Sequence, residues 1–473
     1  MKKAMFKIIV LLAVIVLTFN FSACSRRGNR ADVPTLVWWL IGTQPHDLSR
    51  AVKIMSDYTE AKIGVRFEIR MAGWGDTARL QTVVNSGEHF DIMFITDENY
   101  NNFVNLGAFA GIEELIRTEA PGLLEIIPPL VWEGTRIRGE IYAVPTYKDS
   151  ATTLFHIWNE AFVKKYNLDI TDTSLAGLDR NLRAVKKGEG RRFYPMLMAR
   201  STSNFLFNIF DSLAAGLQPL GVRMDDPYLR VVNTLEDPDV IKGFQYFHRW
   251  YRDGIINPDA NILLEAPRQK TFFIAQGWPS AARLWAALEG VESYLVQPCW
   301  GPFFTSDSIQ GSMNAISANS RHKAEALRLL ELANTDRKFR DMLAFGLEGI
   351  HFEYTSPTTI RRLNDNWTLA AYQQATFFIL SEPDDQAGGW DEVRKLNEMA
   401  TPSPLLGFVL NIENIMNEII ACRIVWEKYN ADLNAGASNP DVILPVAIAD
   451  LRANGLDRII EEAQRQLDKF LGR

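Results

Sequence analysis

The alternation of short apolar runs with amphipathic stretches along the N-terminal part constrains this chain most. Leu36 to Ile41 is a continuous apolar run. From Asp47 to Lys62, Leu48, Val52, Met55 and Tyr58/Thr59 recur at helical spacing. Val65, Phe67, Ile69 and Met71 then alternate with Arg66, Glu68 and Arg70, so this strand buries one face. Thr77 to Asn85 is a helix with Leu80, Val83 and Val84 in contact positions, and Phe90 to Ile95 is another apolar strand. Strands covered on both faces by helices read as unbroken apolar runs, whereas an edge strand alternates. The expected strand order is therefore 2-1-3, as in doubly wound α/β sheets.

Further along, Gly139 to Pro145 reads as a short strand ending in Pro, and Thr152 to Trp158 as another extended run, so the chain crosses here from one lobe to a second. Asn159 to Arg252 reads as mainly helical, including the aromatic stretch Phe205 to Phe210. Thr271–Ala275 and Ser293–Val296 restore strand character. Met313 to Asn319 is a strand leading into an amphipathic helix from Lys323 to Asn334, which returns the chain to the first lobe. The C-terminal part is mostly helical, with a break near Asn454-Gly455.

The N-terminus carries Lys2, Lys3 and Lys7, an apolar run from Ile8 to Leu17, and the small residues Ser22 and Ala23 before Cys24. That layout describes a secretory signal over 1–23. It is similar to a bacterial lipobox, in which Cys24 would be lipidated, with 24–34 as a polar tether. The apolar run is shorter than the ~20 residues a spanning helix needs. The formal charge is −7 and no basic stripe is present, which argues against nucleic acid as a partner. Cys299 and Cys422 are the remaining cysteines, read as free thiols.

The search for chemistry finds no catalytic motif. His46, His89, His156, His248, His322 and His351 show no metal-ligand spacing, and there is no HExxH. Gly216 to Gly221 has phosphate-loop spacing, but Val222 and Arg223 stand where Lys and Ser/Thr are required. No cofactor is expected. Aromatic residues are more informative, because a pyranose presents flat C–H faces to a ring that also offers a polar edge. Trp38 and Trp39 point to opposite faces of one strand and fit a core. Trp74 lies beyond the second strand, where open α/β sheets bind ligands. Thr96 to Asn99 holds the same position after the third strand, as a site or as a helix cap.

The run Gly311 to Asp336, continuing into Leu343 to His351, together with Ser403 to Phe408 and the tail through Gln464 to Asp468, resembles the family 1 extracellular solute-binding proteins of ABC importers. The likeness is nearest to their LplA-type lipoprotein branch; Phe90 to Phe94 and Ile141 to Pro145 fit the wider family. The resemblance implies an α/β, two-lobed, periplasmic-binding-protein-like fold of type II, its doubly wound sheets joined by hinge strands, with a helical C-terminus. Residues 35–145 plus 312–355 would form lobe 1. Residues 146–311 plus 356–473 would form lobe 2, its C-terminal helical part starting near 403. By the same resemblance Asp149 takes the place of a sugar-binding carboxylate, and Trp278 and Trp367 supply stacking. Asp97 and Glu98 match a polar pair after the third strand, and Trp74, Tyr147, Arg283 and Trp300 complete the candidate set. The implied function is carbohydrate capture, of an oligosaccharide, by a monomeric non-enzymatic lipoprotein outside the membrane, for delivery to importer permeases. A binding protein for a peptide or another polar solute, a surface glycosidase, and a sensory or adhesive lipoprotein are the alternatives.

Overall fold

Two sheets carry the architecture. The computed structural model describes residues 33–473 except Gly75, Ser203 and Asn204; the signal sequence, Cys24 and most of the tether lie outside the described residues. The first sheet has the order Arg66–Ala72, Thr35–Ile41, Ile92–Ile95, Met313–Ile316, Ala143–Pro145. Its first three strands run parallel in the expected 2-1-3 order, and Met313–Ile316 is antiparallel to both neighbours. Trp38 turns into a core with Leu48, Met55, Leu327 and Phe339, and Trp39 into a second core with Leu80, Val83 and Phe103. Both are therefore core residues. On the edge strand Phe67 and Ile69 are buried, while Arg66 and Arg70 pair outward with Asp57 and Glu68 at 2.8 Å. Charges along an edge discourage pairing with another chain.

The segment 367–375 departs from the expected boundaries. Trp367, Leu369 and Ala375 pack into the core that holds Trp38, not into the second lobe. The cause is a fully buried Arg340, which donates to the carbonyls of Ala371, Ala375 and Thr376 and to Gln374 Oε1 at 2.8–3.2 Å. Gln373 takes both backbone groups of Ile41, at 2.9 and 2.8 Å. Polar groups satisfied in this way can be buried, and no apolar periodicity reports them.

The second sheet has the order Phe272–Gln276, Thr152–Asn159, Tyr294–Phe304, Thr401–Pro402. Beneath it Trp158, Phe244, Phe247, Trp250 and Phe272 share one core with Trp426, Leu433, Leu444, Leu451, Ile459 and Leu467 of the three C-terminal helices, Met416–Ala435, Pro440–Ala453 and Leu456–Phe470. The break expected near Asn454-Gly455 separates the last two. The stretch Phe205 to Phe210 is not helical. It runs through turns into Phe210–Asp211, an edge of a small sheet with Leu220–Arg223 and Val231–Asn233. Phe207 is instead satisfied by the rings of Phe244 at 6.0 Å and Trp426 at 6.1 Å, so packing overrides the local pattern. Cys299 and Cys422 are both free thiols, in a strand and a helix respectively. Among the described residues no helix is long and apolar enough to cross a membrane.

Candidate functional site

Three connections run side by side between the sheets. Thr146, leaving Ala143–Pro145, donates from its N–H to Ser312 O at 3.0 Å and from Oγ1 to Ser312 Oγ at 2.7 Å, which ties it to the second connection. Ser312 Oγ in turn donates to Tyr372 O at 2.7 Å. Tyr147 O accepts from Thr376 Oγ1 at 2.8 Å and Phe377 N at 3.1 Å on the third. Asn397, on the helix Gly389–Met399, donates to Lys148 O at 2.6 Å and accepts from Ala151 N at 3.0 Å. Adjacent backbone segments linked mainly at their crossing points can absorb a change in lobe angle, which is how hinged binding proteins close.

Against this hinge the structure assembles four of the expected residues, Asp149, Trp278, Tyr147 and Trp300. Asp149 is 22% exposed at its side chain; its carboxylate takes Lys148 Nζ at 2.7 Å, and Gln276 Nε2 donates to Asp149 O at 3.0 Å. Gln276 ends its strand, and two residues later Trp278 meets Trp390 with ring centroids 5.6 Å apart. Trp390 stacks in turn on Phe377 at 4.5 Å. The turn is held by Glu392, which accepts from Ser280 N at 2.7 Å. Gly389 allows a close approach here, because a Cβ there would stand 3.0 Å from Trp278 Nε1. Among the described residues the buried Trp390 indole N–H has no hydrogen-bond partner. Tyr147 is buried, its ring 4.6 Å from Phe378, over which the Arg394 guanidinium lies at 4.5 Å. Burial pushes the Tyr147 phenol upward, with Asn397 opposing. Trp300 and Gln276 both stand opposite Leu154, on its two sides, so they share one row at the hinge end of the second sheet; Trp300 packs on Phe303 at 4.8 Å.

The remaining candidates fall elsewhere. Trp74 is 56% exposed and lies against Gly42, beyond the carboxyl ends of two neighbouring first-sheet strands. Asp97 opens the helix Asp97–Asn105, and Glu98 beside it is exposed. Burial, with help from Glu98, pushes the Asp97 carboxyl up to about 6. Nearby, Asp307 is pushed up to about 7 by burial and by the charges of Asp211 and Asp97, although Ser212 Oγ donates to it. Asp97 therefore belongs to a carboxylate cluster rather than to the aromatic floor. Trp367 is not at the site at all. It is 2% exposed, donates to Leu343 O at 3.0 Å and packs against His351, which makes it a core residue. Arg283 is exposed on the helix Ala281–Glu289 and lines a depression with Ala286, Val291 and Tyr294.

Sequence reasoning missed Trp390, Phe377, Gln276 and Arg394. Only the small pair Gly388-Gly389 ahead of Trp390 signals a close approach. A surface depression of about 830 Å³ lies beside Glu160–Lys165 and Gly290–Ser293, away from the hinge. Chemically, the floor offers ring faces beside a carboxylate and an amide. Among the described residues no group of three or more His, Cys, Asp or Glu could hold a metal.

Residues 404–472 match a family described as a domain of unknown function, DUF3502. A carbohydrate ABC transporter substrate-binding protein of Streptococcus pneumoniae serotype 4 is 25% identical over 97% of both chains. The N-glycan transport solute binding protein NgtS of Streptococcus pneumoniae superposes with a TM-score of 0.84 at 25% identity, over 93% of this chain and 99% of that one. Over nearly its whole length the chain is therefore similar to carbohydrate substrate-binding proteins of ABC transporters. NgtS in complex with Man1GlcNAc gives 0.78 over 93% of this chain and 100% of that one. A human-milk-oligosaccharide (HMO) binding relative from Bifidobacterium longum infantis, 16% identical over 93% of this chain and 99% of its own, gives 0.61 and shares the two-lobed fold. Proteins of this class work outside the cytoplasmic membrane.

Proposed function

We propose that this solute-binding protein captures an oligosaccharide between its lobes and delivers it to an ABC importer. The observation that carries the reading is the hinge floor, where the Trp278–Trp390 pair stands beside Asp149 and Gln276. Ring faces suit pyranose C–H faces. A carboxylate and an amide suit hydroxyls, because bonds to a charged acceptor are about twice as strong as neutral ones. Relatives named for N-glycan and carbohydrate transport support the same class of ligand. The lower similarity to NgtS bound to Man1GlcNAc and to Man5GlcNAc, 0.78 and 0.75 against 0.84, supports a lobe disposition that changes with ligand.

The finer assignments belong to this reading. Trp278, Trp390 and Trp300 form the stacking floor, Asp149 and Gln276 the polar contacts, and Trp74 with Asp97 and Glu98 the opposite wall. Lobe 1 comprises 35–145 with about 312–375, and lobe 2 the remainder. The protein binds without turnover, as a monomer, and Cys24 carries the lipid that holds it to the membrane. Titration calorimetry tests the function: neutral oligosaccharides, Man1GlcNAc and Man5GlcNAc among them, bind saturably and are recovered intact. Saturable binding of peptides alone, or hydrolysis of the sugar, overturns it.

A further inference from the structure

The chain from Ser403 to Ile412, which opens the domain of unknown function, threads between both lobes. Its side chains alternate in allegiance. Leu405, Phe408, Leu410 and Ile412 join the core of the second sheet, while Leu406 and Val409 pack against the two cores of the first. The Leu410 peptide is shared in the same way. Its N–H donates to Leu213 O at 3.0 Å in the second lobe, and its carbonyl accepts from Asn101 Nδ2 at 3.1 Å in the first.

Both ends of the segment are fastened. Ser403 N donates to Phe304 O at 2.7 Å and its Oγ to Asp211 at 2.5 Å. The Asn411 N–H and carbonyl are both taken by Gln466, at 2.9 Å each, on the last helix. At Gly407 φ is +86°, and a Cβ would stand 3.2 Å from Glu133 O, so glycine alone allows this approach to the first lobe. The segment leaves Thr401–Pro402, the edge of the second sheet opposite the strand that leads to Trp278.

We infer that the C-terminal domain acts as an interlobe strap: its helices anchor in one lobe, residues 403–412 grip the other, and the grip sets the range of lobe angles at the edge remote from Trp278. Contacts of this kind restrict a hinge because packed interfaces hold discrete arrangements. The strap is separate from the sugar-binding reading and stands or falls without it.

The test is an interlobe distance measurement on the purified full-length chain without ligand. Nitroxide labels go on Glu114→Cys and Lys164→Cys, side chains 82% and 73% exposed on the two lobes, in a Cys24→Ser background. Burial pushes the Cys299 thiol to about 12 and the Cys422 thiol to about 11, which slows their labelling at neutral pH, and the Cys24→Ser chain without added cysteines measures the background. Electron–electron resonance should show a wider, shifted distance distribution in Leu406→Ala/Val409→Ala than in the parent, and a smaller change in the same direction for Asn101→Ala. Should the double variant not fold, Asn101→Ala decides, since on a half-exposed side chain it removes the bond to Leu410 O and otherwise only a 3.4 Å bond from Asn105 of its own helix. Distributions identical to the parent in every folded variant overturn the inference.

Discussion

Trp278 and Trp390, far apart in the chain, close on one another at 5.6 Å and 52°, with Phe377 behind Trp390 at 4.5 Å. The contact brings a turn from the second sheet against the connection that returns from the first. A ligand face laid on Trp278 would therefore rest on a platform already supported from below, and little side-chain entropy would remain to be lost on binding.

Removing that platform should weaken binding without unfolding the protein. Trp278→Ala is expected to reduce oligosaccharide affinity by roughly 0.5–1.5 kcal/mol from lost stacking, with a further loss of buried area. Trp390→Phe should cost less, because a ring remains. Calorimetry at constant temperature measures both.

Asp149→Asn keeps the shape and removes the charge. The expected loss is about 1.5–3 kcal/mol if the carboxylate accepts from ligand hydroxyls. Asp149→Ala should lose at least as much. Comparing the two by calorimetry separates the charged hydrogen bonds from packing.

Arg340→Leu tests the architecture beneath the hinge. The variant strands three backbone carbonyls and the Gln374 side chain that the guanidinium now satisfies. Removing one side of a buried charged network costs about 3–5 kcal/mol, so denaturant unfolding should shift to lower midpoint. Arg340→Lys should not restore it, because an ammonium cannot reproduce the planar fork.

The carboxylate cluster makes stability depend on pH. Asp307 is raised to about 7 and Asp97 to about 6, so the folded chain holds protons that the unfolded chain, near 3.8, has released. More protons bound in the folded state means that stability falls as pH rises. The loss should begin above about 4 and be complete above about 7. Asp307→Asn is expected to raise the melting temperature relative to the parent at pH 8, with the advantage fading at pH 5. An equal difference at both pH values would contradict the assignment.

Much of the first sheet was legible because its signal is local. The continuous run Leu36–Ile41 and the alternating run Val65–Met71 fix which strand is central and which is the edge, and the structure has that order. The grouping of the candidate residues was legible only where one segment supplies both strand and turn. Asp149, Tyr147 and Trp278 come together by way of Thr152–Asn159 and Phe272–Gln276, whose pairing holds their neighbours in register. Trp390 was not legible, since it depends on a third connection that no periodicity reveals. Trp367 misled because an aromatic at a family position looks alike whether it faces a ligand or a core; the hydrogen bond to Leu343 O settles it for the core. The run Phe205–Phe210 misled for a related reason. Its rings are buried by helices distant in sequence, so apolar density there carries no information about local conformation.

The central claim is capture of an oligosaccharide on the Trp278 floor, and a calorimetric titration of the parent and of Trp278→Ala with a panel of neutral oligosaccharides tests it most directly. The account predicts one-to-one saturable binding by the parent and weaker binding by the folded variant. Absence of binding to every oligosaccharide, or equal affinity in parent and variant, would contradict it.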